Sequence, residues 1–224
     1  MKLSRLKQWS SRLLQLPVRP GSVGELKSAR ATGSASAEFG AVERRFLMQA
    51  ARRALVSAAE TGCVPEVQDV PPSLFQERAC FVTLTKSGVL RGCVGHIFPQ
   101  SPLWLAVINN TRSAALRDPR FPAVEPHELA ELEIEISVLT VPEQLAFSAP
   151  EDLLAKLQPH RDGVVLQMDG RSATYLPQVW EEIPDKTRFL NTLAQKAGAA
   201  ADDWRAPGTQ VFIYRVESFK ESEK

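Results

Sequence analysis

Cys80-Phe81-Val82-Thr83-Leu84-Thr85 and Val89-Leu90-Arg91-Gly92-Cys93-Val94-Gly95 are two runs separated by Lys86-Ser87-Gly88. Alternating β-branched and aromatic residues on either side of a glycine-bearing turn predict an antiparallel hairpin. Side chains two apart on a strand share a face, so Leu90 and Val94 are expected toward the core, with Arg91 and Cys93 together on the opposite face. Tight turns between neighbouring strands favour antiparallel pairing over βαβ crossovers.

Working outward, Val42, Phe46, Leu47, Ala50, Ala54 and Ala58 recur at helical spacing and predict a helix over 39–61, stopped by Gly62. Pro65, Pro71 and Pro72 mark a surface loop before the hairpin. After it, Ser101-Pro102 reads as a cap and first helical residue, opening a helix that Asp118-Pro119 ends. Leu132 to Val141 is a predicted strand with Leu132, Ile134, Ile136 and Val138 on one face and Glu133, Glu135 and Ser137 on the other. Ser148-x-x-Glu151 has the form of a capping box for a short helix through Leu157. Asp169-Gly170 predicts a hairpin between Val164–Met168 and Arg171–Leu176, Asp185 caps a helix closing at Gly198, and Val211–Val216 is a late strand.

The 224 residues suit one large domain or one domain built of two lobes, and 44% hydrophobic content is enough to bury a sizeable core. A net charge of +1 hides an asymmetry, because residues 1–38 carry +5 and the rest −4. The folded part therefore lacks the basic footprint of a nucleic-acid binder. Residues 1–38, rich in Lys, Arg, Pro, Gly and Ser, are expected to be a disordered basic extension and linker, and 221–224 a tail. No apolar run is long enough to cross a bilayer, and Met1–Leu16 lacks the continuous apolar core of a secretory signal. Three cysteines with no CxxC pair point to a reducing, cytoplasmic setting rather than a disulfide framework.

Four stretches, in order across residues 39–220, carry a family resemblance: GVLRGCVG at Gly88–Gly95, AALRDPRF at Ala114–Phe121, LEIEISVLT at Leu132–Thr140, and YLPQVWEEIPD at Tyr175–Asp185 followed by FLNTLAQKAG at Phe189–Gly198. Together they resemble the AMMECR domain, protein A of the AmmeMemoRadiSam system. The resemblance implies a two-lobed α+β fold in which a larger lobe holds both chain ends and a smaller one is inserted. Each lobe would be an antiparallel sheet packed with helices, with the signature loop near a cleft between them. It also implies a radical S-adenosylmethionine enzyme and a Memo-type protein as partners, and favours Glu135 as the carboxylate that holds Arg91. His96 departs from the small hydroxyl residue that the family often has after the signature glycine.

Cys93 is the candidate nucleophile, since a thiolate beside the Arg91 guanidinium is favoured over one in water. The alternative is a small buried hydrophobe. Gly92 and Gly95 allow close backbone approach, and His96 is either the base of a Cys/His pair or a solvated surface histidine. Arg120, within Asp118-Pro119-Arg120-Phe121, either clamps an anionic group or belongs to a rigid turn. Gln178 is the member of Leu176–Trp180 expected to contact a ligand. Arg91, Gly92, Gly95, His96, Asp118, Arg120, Glu135 and Gln178 thus form the candidate binding set. Cys63, Cys80, His127 and His160 are scattered, so neither a metal nor a cofactor is expected. No phosphate loop, dinucleotide fingerprint, zinc-protease helix or nucleophile-elbow serine occurs. The resulting expectation is an accessory protein of a radical S-adenosylmethionine and Memo-linked modification system, binding a small anion or a partner segment around Arg91-Gly92-Cys93. The alternatives are a non-catalytic interaction module and a cysteine-dependent enzyme.

Overall fold

The structure, a computed structural model, describes residues 39–221; the basic extension and the last residues of the tail lie outside them. In chain order the elements are α1 (Ala41–Glu60), β1 (Cys80–Lys86), β2 (Val89–Gly95), α2 (Leu103–Leu116), β3 (Leu132–Leu139), β4 (Glu143–Gln144), α3 (Pro150–Lys156), β5 (Gly163–Met168), β6 (Arg171–Tyr175), α4 (Lys186–Lys196), β7 (Gln210–Tyr214) and β8 (Val216–Lys220). Two antiparallel four-stranded sheets result, in the orders β2-β1-β3-β8 and β4-β7-β5-β6. They belong to two compact units, one of residues 39–141 with 216–221 and one of 142–215. The α+β class read from the sequence is therefore correct.

In the first unit α1 contributes Leu47, Ala51 and Leu55, and α2 contributes Leu103, Val107, Ala114 and Ala115, to a core shared with Val82, Leu84, Ile134, Ile136 and Phe219. Every second residue of β1 and β3 enters this core, which is what period-two patterning demands of a sheet with helices on one side. The second unit has its own core, in which Trp180 stacks on Phe189 with ring centres 3.6 Å apart and Leu166, Leu190, Leu193, Trp204 and Val211 surround them. Burying each large apolar side chain stabilises the fold by about 1.5–3 kcal/mol relative to exposure. Both hairpins turn as their sequences require, with positive φ at Ser87 and Gly88 (51° and 75°) and at Asp169 and Gly170 (45° and 75°).

Several local expectations are corrected. Leu90 does not share a face with Val94: β1 pairs Leu84 with Gly92 but Thr85 with Leu90, so Arg91 is the extra residue of a β-bulge. Past the bulge the alternation changes phase, and Leu90 stands opposite Thr85, in the parity of Thr83 and Cys93. The predicted strand Val211–Val216 is two strands, with β7 in one sheet and β8 in the other, changing over at Arg215. Pro102, rather than Ser101, is the N-cap of α2, and no side chain caps it. Ser148 donates through its backbone N–H and hydroxyl to Asp152, not to Glu151, at 3.0 and 3.2 Å. Asp185 does cap α4, accepting the Arg188 N–H at 2.7 Å.

Candidate functional site

The register of the first sheet assembles one row across all four strands. Cys93 pairs with Thr83, Thr83 with Glu135, and Glu135 with Lys220. Directly opposed residues share a face, so these four side chains stand side by side on the face opposite Val82, Leu84 and Ile136. Thr83 Oγ1 lies 3.2 Å from Cys93 Sγ and Lys220 Nζ 3.4 Å from Glu135 Oε2. In the next row Ser137 and Ser218 share a hydrogen bond of 2.8 Å. Thr83, Cys93 and Ser137 are buried, and the Glu135 side chain is 13% exposed.

Cys93 lies on β2, an edge strand, whose outward N–H and C=O groups have no neighbouring strand to satisfy them. Asp118 and Arg120 take that role. Asp118 Oδ2 accepts the Cys93 N–H at 2.8 Å, and an Arg120 terminal nitrogen donates to the Cys93 carbonyl at 3.2 Å. The two side chains are locked together, since Arg120 Nε and one terminal nitrogen donate to the two oxygens of Asp118 at 2.9 and 2.6 Å. Burial alone would raise the Asp118 pKa, but the Arg120 fork and the Cys93 N–H together hold it below the ordinary carboxylate value. The Asp-x-Arg element is thus a side-chain substitute for a fifth strand at the position of Cys93.

Arg91 does not pair with Glu135. Its Nε and one terminal nitrogen donate to the two oxygens of Glu128 at 3.0 and 2.8 Å, and its terminal nitrogens also reach the carbonyls of Pro122 and Ala123 at 2.9 and 3.2 Å. The bulge re-aims Arg91 toward the connection after Arg120, where Glu128 is held by a capping box with Glu125 at the start of a 3-10 turn, Pro126–Glu131. The Arg91 side chain lowers the Glu128 pKa to about 2. Glu128 escapes a search based on strand faces, yet Glu125-Pro126-x-Glu128 has capping-box spacing with proline at the first position, and that signal could have found it. The signature glycines serve packing. A Cβ on Gly92 would collide with the Ala114 carbonyl of α2, and one on Gly95 with the Phe81 ring paired across from it.

The chemistry of the Cys93 thiol follows from this enclosure. Burial dominates, opposed by the Thr83 hydrogen bond and the Arg120 charge, and the pKa is pushed up to about 11. The thiol is therefore neutral near pH 7. The groups acting on it are Thr83, Arg120, Asp118 and Glu135; neither Arg91 nor His96 is among them. His96 is exposed, just past the end of β2, with its N–H bonded to the Cys80 carbonyl at 3.2 Å. Arg91, Gly92, Cys93, Gly95, His96, Asp118, Arg120 and Glu135 all belong to the first unit, whereas Gln178 belongs to the second, half-buried on the 3-10 turn Pro177–Glu181 with its Oε1 accepting no hydrogen bond from the described residues. Among the described residues no three His, Cys, Asp or Glu side chains converge as metal ligands.

The model of a known family, AMMECR1, matches residues 48–219. The chain belongs to the AMMECR1 family. Protein MK0488 of Methanopyrus kandleri is 37% identical over 187 residues, covering 81% of this chain and 89% of that protein. Protein TK0174 of Thermococcus kodakarensis is 40% identical over 183 residues, covering 79% and 89%. The crystal structure of protein PH0010 from Pyrococcus horikoshii is similar with a TM-score of 0.72 at 38% identity, over 79% of this chain and 90% of that one. The matched span contains Cys93, Thr83 and Glu135 of the row and ends in β8 at Phe219, one residue before Lys220. No helix among the described residues is long and apolar enough to cross a membrane.

Proposed function

We propose that this AMMECR1-family chain is an accessory, non-covalent binding protein of a radical S-adenosylmethionine and Memo-linked modification system in the cytoplasm, and that its signature loop organises an interaction surface rather than supplying a nucleophile. The observation that carries this reading is the occupancy of the loop's functional groups. Arg91 is committed to Glu128, Arg120 is committed to Asp118 and the Cys93 carbonyl, and the Cys93 thiol is buried and neutral. An anion bound at Arg91 or Arg120 would have to displace a bidentate carboxylate, which costs more than a surface ion pair returns. A partner segment has no such requirement, because it can contact the sheet face through Glu135, Ser218 and Lys220 while the Asp118–Arg120 fork stays closed. The linkage to the radical enzyme and the Memo-type protein rests on the family resemblance.

The test is association and activity in the assembled system. Cys93→Ser and Cys93→Ala should both co-purify with the radical enzyme and the Memo-type protein as the native chain does, and should support modification at the native rate. Intact association with modification abolished would restore Cys93 as a nucleophile.

A further inference from the structure

Between the start of β1, the loop after β2 and helix α2 lies a cavity of about 220 Å³, contained wholly in the first unit and lined among others by Arg78, His96, Ser101, Asn109 and Asn110. Its walls are fixed in place. The Cys80 carbonyl accepts both the His96 N–H at 3.2 Å and Asn110 Nδ2 at 2.9 Å, while Asn110 Nδ2 also lies 3.3 Å from Cys80 Sγ. At the lip, Glu77 bridges Pro102 and the Leu103 N–H donates to the Gln76 carbonyl at 2.9 Å, so the segment leading into Arg78 is tied to the start of α2.

The polar groups facing this space are incompletely matched. Arg78 is half-buried, yet its guanidinium makes no hydrogen bond or ion pair with any described residue, and no Asp or Glu lines the cavity. Elsewhere in the same unit the half-buried arginines Arg52, Arg91 and Arg120 each hold a carboxylate, and Arg112 donates to the Gly62 carbonyl at 2.7 Å. Asn110 is 2% exposed, and with Nδ2 engaged at Cys80 its Oδ1 accepts no hydrogen bond from the described residues. A partly desolvated cation without a counter-ion, beside an acceptor without a donor, is completed by a ligand that carries a negative oxygen pair and a hydroxyl. The planar guanidinium fork matches carboxylate or phosphate oxygens two at a time. The volume lies below the ~300–1,000 Å³ of sites for drug-sized ligands, which fits a small metabolite and not a nucleotide.

We propose that this cavity binds a small oxyanion with an adjacent hydroxyl, held by Arg78 and flanked by His96, Ser101 and the Asn109–Asn110 amides. The site goes beyond the partner-binding role argued above and shares none of its ion pairs. The test is a calorimetric titration of the full chain with inorganic phosphate and with glycolate, against chloride as a control. Saturable binding of phosphate identifies a phosphate group as the ligand chemistry, and saturable binding of glycolate a hydroxycarboxylate. In either case Arg78→Gln should weaken it about tenfold or more, the loss expected for removing a charge-assisted pair, with its thermal midpoint unchanged because Arg78 holds no other group. Asn109→Asp, on an exposed helical position, should weaken it as well by adding a like charge. Absence of saturable binding by both probes, binding no tighter than chloride, or binding undiminished in Arg78→Gln would each overturn the proposal. No partner protein enters the titration, so its failure leaves the partner-binding reading standing.

Discussion

Glu128 shows how a single residue fixes the surroundings of the signature loop. Its carboxylate holds Arg91 on one side and caps its own 3-10 turn on the other, accepting the Glu125 N–H at 3.1 Å. With the folded pKa lowered from 4.5 to about 2, the unfolded chain binds the proton more readily. The stabilisation is therefore complete above about pH 4.5 and is lost as the pH falls toward 2. Glu128→Gln should lower stability by about 2 kcal/mol at pH 7, the cost of leaving a half-buried guanidinium with a neutral partner. Urea midpoints for both proteins should converge as the pH approaches 2, and a gap of constant size across that range would contradict the assignment. The residue types of this site were legible in the sequence, but their pairings were not. Arg91 and Glu135 do fall on strands of the same sheet, β2 and β3, separated by β1. The bulge at Arg91, which no residue type announces, sends the guanidinium to Glu128 instead.

At the scale of elements, the edge strand β2 and helix α2 are fitted to each other through Gly92. Any side chain there must push the Ala114 carbonyl away, and Ala114 itself is buried in the core. Gly92→Ala should destabilise the protein by about 1–3 kcal/mol, the range for overpacking a filled interior, whereas Gly88→Ala meets open space and is penalised only through its positive φ. Thermal midpoints of the two variants check this, and a Gly92→Ala protein as stable as the native one would rule out the close approach. The hairpin, the capped helix at Asp185 and the strand at Leu132 could be read directly because each is specified by local pattern. The split between β7 and β8 could not. Val211-Phe212-Ile213-Tyr214-Arg215-Val216 is continuously strand-like, and only pairing with distant partners, Tyr214 with Gly163 and Val216 with Leu139, divides it.

At the scale of the molecule, the main cores of the two units share no residue among the described ones. Phe189 is fully buried in the 142–215 unit, and Phe189→Ala should cost about 3–5 kcal/mol of stability there. Native-state hydrogen exchange should then speed up at Val165 and Phe212 while Ile136 and Phe219, paired in the other sheet, keep their protection. Equal loss at all four amides would mean a single cooperative core. The α+β class and the family followed from the order of short motifs. The division of labour within the site did not, because burial of Cys93, the Asp118–Arg120 substitute strand and the cavity at Arg78 all depend on contacts between segments far apart in the chain.

The central claim, that the signature cysteine is an enclosed neutral thiol within an interaction surface, is tested most directly by the pH dependence of Cys93 alkylation in a Cys63→Ser background, which removes the one exposed cysteine. The rate should be slow and should rise with a midpoint near 11. A midpoint at or below that of a free thiol, about 8.5, would contradict it.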